Sequence, residues 1–309
     1  VSLQKSLRKG LLEQINKIFD DKKIKFKKKF SLSTPNRLIV VFQGLDKEVE
    51  IKSEEIKGPS TSSAPTALEG FLRSKNINEE DIFKKKTDKG EFYFFKTKKK
   101  KLKTFDLLGD CLPKIINDFK WKKSMKWGSF DLNWGRPLKS ILCIFDKKVI
   151  KFSLNHLTSS NLTYIDKDFE EKKKTFNDYN SYQKYFQKIG TILDQEKRKE
   201  LIKKNIQKVL IKKNLKIKDN EKLLDEVTNL VDKPYILECS FDKKFLSIPK
   251  EILILTMQSH QKYFPLFTMK EEITNEFIVV ANKKDKRGLI KIGNERVVEA
   301  RLNDAEFFW

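Results

Sequence analysis

The spacing of the apolar residues changes along this chain, and that change limits the folds open to it. Residues 3–19 repeat leucine and isoleucine at steps of four and three, which is the spacing of an amphipathic helix. Residues 37–45 form a nearly continuous apolar run, as a buried strand does, whereas residues 49–56 alternate apolar and charged positions like a half-exposed strand. Because both patterns recur to the end of the chain, we predict an α+β fold with mixed or antiparallel sheets and packed helices.

The same patterns place the remaining elements. Thr66 is positioned to cap a short helix through its hydroxyl group. Further helices are predicted at residues 66–72, 107–121, 249–261 and from about 293 onward. Further strands are predicted at residues 91–97, 235–241, 263–269 and 277–281. A hairpin is predicted at residues 140–154, because two apolar runs flank Asp146, Lys147 and Lys148.

Residues 166–231 follow a helical pattern and are very rich in lysine. Within them one apolar stripe, with four lysines lying off it, is made of Ile202, Ile206, Val209 and Leu210. The ordinary interpretation of those lysines (203, 204, 208 and 212) is the solvated face of a helix. The alternative is a basic ridge that follows an RNA backbone, and the pattern alone leaves both open.

The formal net charge of +23 favours a polyanionic partner. Only eight of the 66 basic residues are arginine, however, and lysine, isoleucine, asparagine and phenylalanine are all abundant. An A+T-rich coding sequence would produce the same bias, so part of the charge needs no functional explanation. The three cysteines have no motif spacing, which favours reduced, packed thiols, and no apolar run is long enough to span a membrane.

Two stretches near the end of the chain combine an apolar stripe with polar residues that a core helix does not need. They are residues 248–264, with sequence IPKEILILTMQSHQKYF, and residues 293–308, with sequence GNERVVEARLNDAEFF. On periodicity alone both are ordinary amphipathic helices. Their order and content closely resemble the beta subunit of the bacterial two-subunit glycyl-tRNA synthetase, in which the pattern reads LP-E-L-TM-HQ-YF, N-FI-V-N and GNE-RV-ARL-DA-FF. Ordered matches of this length are far more specific than a short motif.

Weaker matches to that family extend over nearly the whole chain. The sequence TPNRL at residues 34–38 resembles the family's TP-R-RL element, with Asn36 in place of the first arginine. Residues 136–137 (RP) and the DEV, LV and P positions between 225 and 234 also match, with Asp232 where the family usually has glutamate. One departure is clear: the family usually carries Gly-His-Arg where this chain has Asn155, His156 and Leu157.

The resemblance implies a fold and a partner. It implies a module similar to the B3/B4 modules of phenylalanyl-tRNA synthetase beta subunits, and a fragment of a chain roughly twice as long. We expect an N-terminal α+β region at 1–155, a lysine-rich helical segment at 156–232, and a second α+β region at 233–309. The family works as an α2β2 complex in the cytoplasm, with tRNA(Gly) as substrate. ATP and Mg²⁺ are expected on the alpha subunit and no cofactor on this chain, and neither membrane nor DNA is an expected partner.

No catalytic residue and no metal ligand set is predicted on this chain, since its two histidines and three scattered cysteines have no ligand spacing. The candidate contacts to tRNA or to a neighbouring domain are His156, His260, Gln261, Lys262, Asn294, Arg296 and Arg301. For His260 the favoured interpretation is a hydrogen-bonded packing residue, with a phosphate or ribose contact as the alternative. One of Arg296 and Arg301 is expected to pair with Glu295, Glu299 or Asp304. The alternative functions are an editing hydrolase for mischarged tRNA and a non-catalytic basic RNA-binding protein.

Overall fold

In a computed structural model of the chain, the described residues are 2–51, 53–97, 99–119, 124–126, 129–165 and 172–309. They form the α-helices α1 (Ser2–Asp21), α2 (Pro65–Lys75), α3 (Thr104–Asn117), α4 (Tyr179–Lys188), α5 (Gln195–Lys213), α6 (Glu221–Thr228), α7 (Lys250–Leu255) and α8 (Leu289–Phe308). They also form the strands β1 (Lys28–Thr34), β2 (Arg37–Gln43), β3 (Glu48–Ile51), β4 (Glu55–Ser60), β5 (Ile82–Thr87), β6 (Gly90–Lys96), β7 (Lys100–Lys103), β8 (Met125–Lys126), β9 (Asn133–Trp134), β10 (Ile144–Phe145), β11 (Lys148–Val149), β12 (Ser153–Leu154), β13 (Leu157–Thr158), β14 (Leu162–Tyr164), β15 (Lys173–Thr175), β16 (Tyr235–Ser240), β17 (Phe264–Phe267) and β18 (Ile273–Ala281). The ladders between these strands are antiparallel, and the predicted α+β class is confirmed.

The strand β18 lies between two layers of helices in the C-terminal part of the chain. It is the middle strand of the sheet β16-β18-β17. On one face, Phe277 and Val279 pack with apolar residues of α7 and α8. On the other face, Ile278 packs with the apolar stripes of α5 and α6. Because successive residues of a strand point to opposite faces, a run that is apolar at every position, such as 277–281, can serve both layers.

A second core lies in the N-terminal part. The hairpin β1–β2 packs beside α1, and α3 packs against α1. Their shared core contains Phe19 from α1, Leu108 and Leu112 from α3, and Ile150 and Phe152 from the segment before β12. The predicted hairpin at 140–154 is confirmed as the short pair β10–β11, whose turn has positive φ at both central residues, as a type I′ turn requires.

Residues 55–97 form a small unit between the paired strands β3 and β7. It contains α2 and a three-stranded sheet of order β4-β6-β5. Its elements contact chiefly one another, with α2 packed against β4. The paired strands β3 and β7 therefore connect this unit to the rest of the chain.

Several predicted boundaries are wrong, each for a local reason. The helix α2 begins at Pro65 with Ala64 as its N-cap, so Thr66 lies inside the helix and does not cap it. The helix predicted at 107–121 occupies 104–117, with residues 120 and 121 outside the described ones. The final helix begins at Leu289, before the predicted start at 293. The strand predicted at 49–56 is divided into β3 and β4, and β1 and β5 were not predicted.

The burial of α5 gives a matched test of its helical phase. Ile206 is 2% exposed and Ile211, five positions later, is 80% exposed. We expect Ile206→Ala to lower the free energy of unfolding by about 2 to 5 kcal/mol, because it opens a cavity beneath the sheet. The control Ile211→Ala should change it by less than about 0.5 kcal/mol. Urea unfolding followed by circular dichroism measures both, and equal effects of the two variants would contradict the packing of α5.

Candidate functional site

A cleft of about 1710 Å³ brings together segments that lie far apart in the sequence. Its walls come from α1 and the β1–β2 hairpin, residues 134–147, the start of α4, residues 226–235 and residues 282–286. Most of the interior is apolar, and polar residues gather where these segments meet. Several residues that carry the family resemblance line this one cleft, namely Thr34, Pro35, Asn36, Arg37, Leu38, Arg136, Pro137, Asp232 and Asn282.

The turn between β1 and β2 is built to present Arg37 to the cleft. Thr34 pairs with Arg37 across the turn, and the Thr34 hydroxyl oxygen accepts a hydrogen bond from the amide of Asn36 at 3.2 Å. On the outer side, Arg136 Nη1 donates to the carbonyl oxygen of Pro35 at 3.4 Å. These contacts hold a tight two-residue turn in place, so the position of Arg37 is set by the backbone around it.

The Arg37 side chain is 10% exposed and its contacts are structural. Its Nη2 donates to the carbonyl oxygen of Tyr164 at 2.6 Å and to that of Ile165 at 3.3 Å. Its Nη1 lies 3.8 Å from Asp232 Oδ2, and its guanidinium carbon lies 4.3 Å from the ring centre of Phe186. A guanidinium engaged on this many sides shapes the wall of the cleft and has little capacity left for a ligand phosphate.

A second arginine, Arg198 of α5, is fully buried behind this wall. It donates through Nε to the carbonyl oxygen of Thr228 at 2.8 Å, through Nη1 to that of Ile192 at 2.5 Å, and through Nη2 to that of Ser33 at 3.0 Å. Burial lowers the pKa of Arg198 to about 10, against the opposing effect of the Asp232 carboxylate. The guanidinium therefore stays charged at neutral pH and joins three separate segments.

Asp232 is itself held in place by Asn282. The Asn282 side-chain oxygen accepts hydrogen bonds from the amides of Asp232 at 2.8 Å and Lys233 at 2.9 Å. The Asp232 carboxylate is 8% exposed and faces Arg37. This links the end of β18 to the segment before β16 at the edge of the cleft. Burial also raises the pKa of the neighbouring Tyr182 to about 12, so its hydroxyl group stays protonated.

The charge balance of the cleft is strongly positive. Among the described residues, ten basic and four acidic side chains line it. Each acidic one is already engaged: Asp146 with Lys47 at 2.6 Å, Glu226 with Lys262 at 2.7 Å, Asp232 with Arg37, and Asp178 as the N-cap of α4. Five of the cations have no carboxylate within 4.0 Å among the described residues: Arg136, Lys147, Lys233, Lys284 and Lys286. An opening of this kind attracts anions such as phosphate groups.

Of the predicted site residues, only Lys262 lines this cleft, and it forms the ion pair with Glu226 just described. Residues 256–261 form a π-helical turn that Lys262 ends with a positive φ of 63°. In that turn His260 is exposed and Gln261 is half-buried. The packing interpretation of His260 is therefore wrong, because its side chain faces solvent. His156 is exposed at the turn between β12 and β13, where its ring stacks on Phe130 at 4.1 Å.

The three predicted residues of α8 lie elsewhere. Asn294 accepts a hydrogen bond from the hydroxyl group of Tyr263 and donates to the carbonyl oxygen of Ile290 at 2.6 Å, so it fastens the π-helical turn to α8. Arg296 and Arg301 are exposed, and no carboxylate of the described residues lies within 4.0 Å of either. The expected pairing of one arginine with a local acid is wrong. Glu295 instead accepts a hydrogen bond from the amide of Ser240 at 2.8 Å.

The lysines of α5 divide into two groups. Lys203 is drawn into an ion pair with Glu221 at 3.7 Å, and Lys199 pairs with Glu221 and Asp225, both at 2.7 Å. A second group is exposed on the opposite side of the helix, without an ion pair to a described residue: Lys197, Lys204, Lys208 and Lys212. The last three repeat every four residues, which spaces them about 6 Å apart along the helix. Both interpretations of these lysines, solvated face and basic ridge, are compatible with this geometry.

Other kinds of site find little support in the part of the chain that the structure describes. No group of three or more histidine, cysteine, aspartate or glutamate side chains there could hold a metal ion. The cysteines Cys111, Cys143 and Cys239 are free, and burial raises the pKa of the last two to about 12. Their thiols are therefore poor nucleophiles. No helix among the described residues is long and apolar enough to cross a membrane.

Comparison with known proteins gives one consistent result. The family model described as "Glycyl-tRNA synthetase beta subunit" matches residues 1–309. The glycine–tRNA ligase beta subunit of Rickettsia felis is 34% identical over 310 residues, which cover 99% of this chain and 46% of that protein. The proteins of the same name from Rickettsia bellii and Rickettsia prowazekii are 34% and 35% identical over 308 residues, again 99% of this chain and 47% and 46% of theirs. The chain thus spans about half the length of the curated relatives it matches.

The contacts of Arg198 predict a large loss of stability from a change that keeps its charge. Lysine cannot reproduce the three directed hydrogen bonds, so we expect Arg198→Lys to lower the free energy of unfolding by about 2 to 4 kcal/mol. The control Arg136→Lys alters an exposed arginine at the cleft and should cost under about 0.5 kcal/mol. Denaturant titration of both proteins measures this. An Arg198→Lys protein as stable as the unmodified chain would show that the buried hydrogen bonds contribute little.

Proposed function

Because the chain belongs to the glycyl-tRNA synthetase beta-subunit family, which matches it over residues 1–309, we propose that it is the beta-subunit part of a glycine–tRNA ligase. That enzyme joins glycine to tRNA(Gly) with ATP. The match over the whole chain, at 34% identity to curated beta subunits, is the observation that carries the proposal. The names of those relatives favour it over an editing hydrolase and over a non-catalytic RNA-binding protein.

The proposal divides the work between two subunits. The alpha subunit binds glycine, ATP and Mg²⁺ and forms the activated amino acid. The beta subunit contributes tRNA binding, within an α2β2 assembly in the cytoplasm. In this scheme the chain has the predicted regions 1–155, 156–232 and 233–309, with a B3/B4-like module among them. The middle region is not helical throughout, because the strands β13, β14 and β15 precede its helices α4, α5 and α6. Several residues that carry the family resemblance line one cleft, and this supports a shared role for them.

The cleft supplies the geometry for holding RNA. Its unpaired cations, including Lys233, Lys284 and Lys286, would contact phosphate groups at the opening. Arg37 and Asp232 would not contact the RNA but would hold the segments that form the cleft wall in position. The exposed lysines of α5 offer a further surface for a phosphate backbone, with Lys204, Lys208 and Lys212 in one row. Six residues outside the cleft lining remain candidates for contacts with RNA or a neighbouring domain: His156, His260, Gln261, Asn294, Arg296 and Arg301.

The division of labour predicts that this chain alone does not activate glycine. Purified chain should show no glycine-dependent exchange of pyrophosphate into ATP, and addition of the alpha subunit should produce exchange. The physical reason is that glycine and ATP are bound by the alpha subunit in the proposed scheme. Glycine-dependent exchange by this chain by itself would contradict the assignment of activation to the other subunit.

Binding of tRNA should depend strongly on salt. If about six phosphates are neutralised, the logarithm of affinity should fall with the logarithm of salt concentration at a slope of roughly −4 to −5. We expect the double variant Lys284→Gln/Lys286→Gln to make that slope shallower by about 2, one for each lost contact.

The matched control for that variant is Lys22→Gln/Lys270→Gln, which removes the same charge from exposed positions outside the cleft. It should leave the slope nearly unchanged. Filter binding of tRNA(Gly) at several salt concentrations distinguishes the two variants. Equal slopes for both would mean that general charge, and not the cleft, attracts the RNA.

A further inference from the structure

One face of the small sheet β4-β6-β5 carries phenylalanine rings and lysines side by side. In the register of its ladders, Lys57 and Phe83 both lie opposite Phe94 of the central strand, and Lys85 lies opposite Phe92. Residues directly opposite in an antiparallel ladder project to the same side of the sheet. One surface of the sheet, which we call the phenylalanine face, therefore contains Glu55, Lys57, Phe83, Lys85, Phe92 and Phe94.

This face is open to solvent. Phe83 is 38% exposed, and Lys57, on the other side of Phe94 in the same cross-strand row, is also exposed. The ion pair between Lys85 and Glu55, at 2.6 Å, spans from β5 to β4 above Phe94 with both side chains still well exposed. A helix packed on this side would have to cover that ion pair. Phe94 is thus buried by its own neighbours in the sheet rather than by another layer of the protein.

The rings of the phenylalanine face already attract cations. Lys57 Nζ lies 3.3 Å from the ring centre of Phe92, and Lys85 Nζ lies 5.6 Å from that of Phe94. Phe83 and Phe94 are stacked with their centres 6.1 Å apart. Stacking a base on an exposed ring is more favourable in free energy than placing a lysine there. The lysine loses hydration when it approaches the ring, whereas the base buries an apolar surface. A base that displaces Lys57 or Lys85 from its ring would leave that lysine free to contact a phosphate of the same RNA strand.

We propose that the phenylalanine face binds an unpaired segment of single-stranded RNA, with bases stacked on Phe83 and Phe92 and phosphates contacted by Lys57 and Lys85. The combination of flat rings with interleaved cations fits a single strand, whose bases are free to splay out, better than a duplex, whose bases are stacked on one another. That the RNA is tRNA rests on the proposed function. The stacking surface itself rests on the geometry of the sheet.

The opposite face of the same sheet provides a matched control. There Lys84 Nζ lies 5.8 Å from the ring centre of Tyr93, which is the same kind of pair as Lys85 and Phe94 and joins the same two strands, β5 and β6. Removing Lys84 changes the charge of the unit by the same amount as removing Lys57. Any difference between the two variants therefore reports on the face and not on the charge.

The test measures binding of the 309-residue chain to a labelled, mixed-sequence single-stranded oligoribonucleotide and to the same sequence as a duplex, by fluorescence anisotropy. Phe83→Leu keeps an apolar side chain but removes the ring, and Lys57→Gln changes an exposed residue that does not threaten folding. We expect each to weaken single-strand binding by about fivefold to tenfold and duplex binding by less than about twofold. Tyr93→Leu and Lys84→Gln should bind like the unmodified chain. Thermal unfolding of each variant checks that the fold is kept.

The outcomes separate this proposal from the function proposed above. If Phe83→Leu and Lys57→Gln bind the single strand like the unmodified chain, or if the opposite-face variants lose as much, the proposal is overturned, whether or not the chain binds tRNA. The same holds if the unmodified chain does not bind the single strand. If the oligonucleotide binds through Phe83 while tRNA(Gly) charging by the complex is unaffected in Phe83→Leu, the stacking surface stands and its use in the ligase reaction fails.

Discussion

The guanidinium of Arg198 holds three segments of the chain together from a fully buried position. Its three hydrogen bonds end on Ser33 in the first hairpin, on Ile192 before α5, and on Thr228 at the end of α6. Arg37 extends this network toward Asp232 and the segment at Tyr164. Breaking a buried charged network leaves its partners unsatisfied in a low-dielectric interior. Arg198 thus stabilises the arrangement of the segments around the cleft, because its one guanidinium group satisfies the carbonyl groups of Ser33, Ile192 and Thr228.

The sheet around β18 is the rigid surface against which this network is placed. One face of β18 packs on α7 and α8, and the other packs on α5, the helix that carries Arg198. Ile202 and Ile206, buried on the sheet side, set the rotation of α5. Arg198, four residues before Ile202, is then directed toward the N-terminal hairpin. Apolar packing thus decides where the one fully buried cation of the described residues lies, and the cation decides how the hairpin meets the rest of the protein.

The features that could be predicted from the sequence are the ones coded by local spacing. The stripe of Ile202 and Ile206 marks α5, and the runs at 263–269 and 277–281 mark β17 and β18. The strand β5 was missed because Lys84, Lys85 and Lys86 are consecutive and all exposed, so its sequence lacks the alternation of apolar and polar residues that marks a strand. The cleft could not be predicted from spacing, because its residues meet only through tertiary contacts. The resemblance did mark Arg37 and Asp232, but gave no sign that they lie 3.8 Å apart.

The scarcity of arginine offered a signal that composition alone obscures. The chain contains 58 lysines and eight arginines, and no lysine whose side chain the structure describes is buried. Arg8 and Arg198 are buried and the Arg37 side chain is 10% exposed, while the remaining five arginines are exposed. Lysine meets any need for a solvated charge, whereas a buried cation that must satisfy several carbonyl groups requires the planar fork of a guanidinium. In a chain so biased toward lysine, an arginine at an otherwise apolar helical position, such as Arg198, therefore indicates a buried polar junction.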